Sequence, residues 1–196
     1  MSKSDPSVSK KERNRTIRWV VTIFIVTIFV SGIISFASNE LMAVSSVAVA
    51  FVILLTIIFI GIIFDVIGVA VTSADEKPFH SMAARKVPGA QEAIALLRNA
   101  ERVSSICNDV VGDICGVVSG SASATIAAQI LQHNDFSWPQ MIGLVMSAFC
   151  AGLTVGGKAI GKTFAVNSAT DIVHTVGKLI YWLSHLTVAV RRKNKK

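Results

Sequence analysis

Three carboxylates stand where carboxylates are costly. Asp65 interrupts a long apolar run, and Asp109 and Asp113 open another. A charge near the middle of a bilayer costs about 3 kcal/mol on insertion scales, and residues of this kind mark function by default. Asp109 and Asp113 are four apart, which on a regular helix puts them on one face. An acidic pocket open to the cytoplasm accounts for all three. Hard oxygen ligands of this type suit Mg²⁺, Ca²⁺ or Mn²⁺. The plainer reading is that Asp109 and Asp113 pair with Lys158 or Arg102, or hydrogen-bond to neighbouring helices.

The elements that must position these groups follow from composition and patterning. Hydrophobic residues make up 52% of the 196 residues and charged residues 16%, well below the roughly 25% charge of a soluble domain. Mean hydropathy is +0.61. The net charge of +7 is held in blocks between apolar runs, without interleaved aromatics. That pattern marks topology rather than a nucleic-acid interface, and no nucleic acid is expected as a partner. The basic ends are expected to touch anionic membrane lipid.

Four segments suit spanning: 17–37, 42–72, 103–131 and 138–155. The second, roughly 45 Å long as a helix, exceeds a bilayer core of about 30 Å, so it must tilt, bend at Gly61 or Gly68, or project. The third is weaker, since it carries Asn108, Asp109 and Asp113. Residues 1–16 read as a flexible basic tail without a cleaved signal, and 191–196 as a second basic tail. The region 77–101 is polar. Pro78 opens a helix there and Val87-Pro88-Gly89 breaks it, which predicts a short helical pair. Over 168–190, apolar residues at helical spacing alternate with His174, Lys178, Tyr181 and His185. This predicts an amphipathic juxtamembrane helix.

The lysines and arginines set orientation. Six lie up to Arg18, five between Lys77 and Arg102 and eight from Lys158 onward, which accounts for all nineteen. The stretches 38–42 and 132–140 carry none. Four spans place the basic regions together, and the positive-inside rule puts them and both termini in the cytoplasm. The expected class is an all-α integral protein of the plasma membrane.

Gly112, Gly116 and Gly120 on the third span, and Gly152 and Gly156 on the fourth, form small-residue stripes that let helices approach, within the chain or across a subunit contact. Cys107, Cys115 and Cys150 lie in apolar runs without metal-ligand spacing and read as packing residues with free thiols. No nucleophile–base pair is apparent. His133 falls in the outer loop and His80, His174 and His185 on the cytoplasmic side, so enzymatic chemistry is not expected.

One stretch adds a resemblance. In 72-TSADEKPFHSMAARK-86, Ser73-Ala74-Asp75-Glu76 followed by Phe79, Ser81, Met82 and Arg85 resembles the signature that ends the first helix of the CNNM/CorC-type transmembrane domain of magnesium and cobalt transport proteins. Gly89, Ala93, Leu96-Leu97 and Glu101-Arg102 resemble the segment before that domain's second helix. Gly112-Asp113 falls near its Gly-Asn, and 157-GKAIGKTFA-165 resembles the end of its third helix. The resemblance covers about 45–183. It implies three transmembrane helices, a helical pair, a juxtamembrane helix and a homodimer over 42–190, with 17–37 as an added helix. It implies a divalent-cation transporter or exchanger, with Mg²⁺ as the transported or bound ion and no other cofactor. Ser73 and Glu76 are then expected at the mouth of an inward-facing cavity with Asp65, Asp109 and Asp113.

Two departures bear on that expectation. Lys158 stands where the family has glutamate, and Gly161 where it has proline. A lysine ammonium in an acidic cavity supplies the neutralising charge itself. The alternative expectation is therefore a non-transporting membrane scaffold or assembly protein in which Lys158 replaces the ion. The family's nucleotide-binding CBS module is not matched within this chain, so regulation by ATP through that module is not expected.

Overall fold

A computed structural model describes residues 6–132 and 138–193. His133 lies outside the described residues. The described residues are helical, with no strand among them, and four helices are long and apolar enough to cross a membrane.

Helix α1 runs Pro6–Ala43 without interruption. It begins inside the stretch read as a flexible tail, because Pro6 pre-sets the first turn and the Lys, Arg and Glu residues that follow are good helix formers. A turn leads to α2, Val47–Ser73, the most apolar helix. Ala74 is extended and ends α2. The short helices α3, Lys77–Ala84, and α4, Ala90–Arg98, follow. Between them Lys86 and Gly89 take positive φ values of 57° and 85°. Helix α5, Ala100–Ser105, passes into a π-helical segment, Ile106–Gly112, and then into α6, Asp113–Gln132. Helix α7 spans Pro139–Asn167, and α8 spans Ala169–Lys193.

Helix α2 is the hub. It packs against α6 and α7 along its length and against α5, the π segment and α8 at its C-terminal end, while α4 lies on α8. Lipid tails are as apolar as leucine, so close packing rather than hydrophobic transfer joins such helices. Small residues supply it. A Cβ on Gly61 would sit 2.8 Å from Cys115 Cβ, and one on Gly161 2.7 Å from a Val66 methyl. Gly89 and Gly177 bring the backbones of the α4 entry and α8 into direct contact.

Two apolar clusters result. One joins Met42, Leu54, Ile126 and Met146. The other joins Val71, Phe79, Ala93, Ala165 and Val173. Along α2, Asp65 falls between them.

Helix α1 is peripheral. No residue in its most apolar stretch is buried, but its C-terminal end docks on α6. Asn39 Nδ2 donates to Ser121 Oγ at 3.1 Å, and Gln129 Nε2 donates to the Met42 carbonyl at 2.6 Å. Further toward its N-terminal half, the Arg102 guanidinium lies 5.8 Å from the Trp19 ring centroid.

The fourth span is longer than the apolar run at 138–155. Its helix continues through Lys158 and Lys162 to Asn167. Hydropathy falls at the first lysine, but a long lysine stem can lie along apolar surface while its head group finds a polar partner. The continuation carries Lys158 into the protein.

Candidate intramembrane polar site

Asp65 is 4% exposed. Its Oδ1 lies 3.7 Å from Lys158 Nζ, which also donates to the Gly112 carbonyl at 3.5 Å. Three elements make this site. Helix α2 brings the carboxylate, the π segment brings the carbonyl and α7 brings the ammonium. Gly112 lets the ammonium come close, since a Cβ there would stand 3.3 Å from Lys158 Nζ. One turn further along α2, Gly68 makes room for the Asn108 carboxamide, whose Nδ2 donates to Ser104 Oγ at 3.2 Å. Asp65 Oδ2 and Asn108 Oδ1 are buried and have no hydrogen-bond partner among the described residues.

Magnitudes bear on what this pair is for. Each charge costs about 3 kcal/mol to place at depth. Two unit charges about 4 Å apart attract by roughly 4 kcal/mol at an effective dielectric of 20. The attraction offsets one charge and not both. The long separation and the orphaned oxygen weaken the pair further. Packing alone does not call for such a pair, which fits the general link between buried membrane charges and function.

The other acidic candidates lie elsewhere. Glu76 Oε1 accepts from Arg98 Nε at 3.1 Å and contacts His80 Nε2 at 3.2 Å, which ties the end of α2 to α3 and α4. Ser73 is exposed at the last position of α2. Asp109 is exposed and accepts from Ser105 Oγ at 2.8 Å. Asp113 is exposed at the first turn of α6. Among the described residues no three His, Cys, Asp or Glu side chains come together in a way that could hold a metal ion.

Asp109 and Asp113 do share a face, as a spacing of four implies on an α or a π turn, but that face is exposed. Cys107, Asn108 and Gly112 are the residues of this segment that turn inward. Asn108 and the Gly112 carbonyl were therefore missed as site groups. The usable signal was on the facing helix, where Gly68 three residues after Asp65 marks a place for a neighbour to approach.

No protein-family model matches the chain, and neither a curated protein nor a solved structure matches it.

Proposed function

We propose that this chain is a non-transporting membrane scaffold or assembly protein in which the Lys158 ammonium stands where a cation would otherwise sit. The observation that carries the reading is the position of Lys158 Nζ, between Asp65 Oδ1 at 3.7 Å and the Gly112 carbonyl at 3.5 Å. Those two oxygens are the kind that bind a hard cation. An ammonium there is tethered to α7 and supplies the neutralising charge from within the chain. In this reading the chain keeps a CNNM/CorC-like arrangement in a plasma membrane, with both termini cytoplasmic and α8 lying at the interface. Gly116 and Gly120 support a homodimer contact, because a Cβ on either would meet nothing within 4 Å among the described residues.

The second reading is a divalent-cation transporter, Mg²⁺ being the ion. It is favoured by one observation, the two buried oxygens without partners, Asp65 Oδ2 and Asn108 Oδ1. They add to the Gly112 carbonyl as hard ligands, and transport would require Lys158 to withdraw. Mg²⁺ flux into proteoliposomes separates the two. The scaffold reading expects no flux above empty vesicles; flux that is lost in Asp65→Asn would overturn it.

A further inference from the structure

A furrow runs between α2 and α7. It consists of two linked cavities of about 700 Å³ each, which share Phe59, Ile62, Gly157 and Ile160. Its floor on α2 extends from Val52 to Ile67, about 22 Å at 1.5 Å per residue. Helix α7 shapes it with two kinds of glycine. Gly157 and Gly161 meet Ile62 and Val66 directly and hold the helices together, while Gly152 and Gly156 face open space. The walls are apolar over most of the length. At one end they become polar, at Ser168, Asp171 and Thr175, where α8 begins. Asp171 is exposed, and its carboxylate makes no ion pair among the described residues.

We infer that this furrow holds one acyl chain of an ethanolamine phospholipid, with the headgroup ammonium at Asp171. The length of the furrow suits an acyl chain. It exceeds the roughly 15 Å that one leaflet contributes to a bilayer core of about 30 Å, so a chain lying in it reaches the interface. Charge decides the headgroup. The exposed Asp171 carboxylate at this mouth complements an ammonium and repels a purely anionic head. The preference at this mouth is thus opposite to that of the basic tails.

The test is lipid retention. The full chain, purified in detergent, is incubated with an equimolar mixture of phosphatidylethanolamine and phosphatidylglycerol. Bound lipid is then counted by native mass spectrometry. The inference expects about one retained lipid per chain, enriched severalfold in ethanolamine. Gly156→Leu fills the furrow and is expected to lose that lipid; Gly152→Leu serves the same purpose should the first variant fail to fold. Asp171→Asn is expected to keep a lipid but lose the enrichment. Retention unchanged in both leucine variants overturns the site. Equal retention of the two lipids by the unaltered chain overturns the headgroup assignment. A wild-type dimer without lipid that becomes monomeric in Gly156→Leu would make the furrow a subunit contact instead.

Discussion

Lys158 on α7 and Asp65 on α2 meet at 3.7 Å in a belt between two apolar clusters. Asp65 keeps 6% of its side-chain exposure and Lys158 keeps 21%. Breaking a buried pair by removing one partner costs about 3–5 kcal/mol, whereas replacing both with apolar groups is often neutral. Because Lys158 is partly exposed, the low end of that range applies. Asp65→Leu and Lys158→Met are each expected to lower the detergent melting temperature. The double variant is expected to recover most of the loss. Additive losses would mean that the pair is not coupled.

Polar contacts at Asn39 and Gln129 add to the packing of Met42 in docking α1. Hydrogen bonds between membrane helices contribute about 0.6 kcal/mol each. Asn39→Ala with Gln129→Ala is therefore expected to remove about 1 kcal/mol. Hydrogen–deuterium exchange in the last turns of α1 should rise in that background, while the melting temperature of the remaining helices changes little.

Gly177 and Gly89 fix the contact between α8 and the entry of α4. Overpacking costs about 1–3 kcal/mol, and a side chain at the positive φ of Gly89 adds backbone strain of about 1–2 kcal/mol. Gly89→Ala is expected to be more damaging than Gly177→Ala. Both should increase proteolysis within 77–101 before the membrane helices unfold, and equal melting curves for the two variants would contradict the assignment of strain.

Orientation is testable without function. Single cysteines introduced at Ser81 and at Lys196 are expected to resist a membrane-impermeant maleimide in intact cells. A cysteine at Asn134 is expected to react. The reverse pattern would invert the topology.

The spans were legible because long apolar runs leave few alternatives to membrane helices. The third was harder to read, since Asn108, Asp109 and Asp113 dilute it, and its start at Ala100 precedes the apolar run. The site was legible in part. Asp65 and Lys158 were both recognisable as charges needing an explanation, but the sequence set Lys158 beyond its span and against Asp109 or Asp113. Two physical facts reversed this. The long lysine stem allows α7 to continue, and the face that Asp109 and Asp113 share turns outward while Asn108 turns inward. Neither is written in a 3.6-residue period or in a hydropathy average. The resemblance rests on short motifs around Ser73, Gly89 and Gly157, and Glu76 in the first of them is engaged with Arg98 and His80.

In the proposed reading Lys158 takes the place of an ion. Calorimetric titration of Mg²⁺ into the purified full chain, beside Lys158→Glu, tests it most directly. No heat of binding is expected for the unaltered chain and saturable binding for Lys158→Glu, where a second carboxylate joins Asp65 and the Gly112 carbonyl. Saturable Mg²⁺ binding by the unaltered chain, abolished by Asp65→Asn, would contradict it.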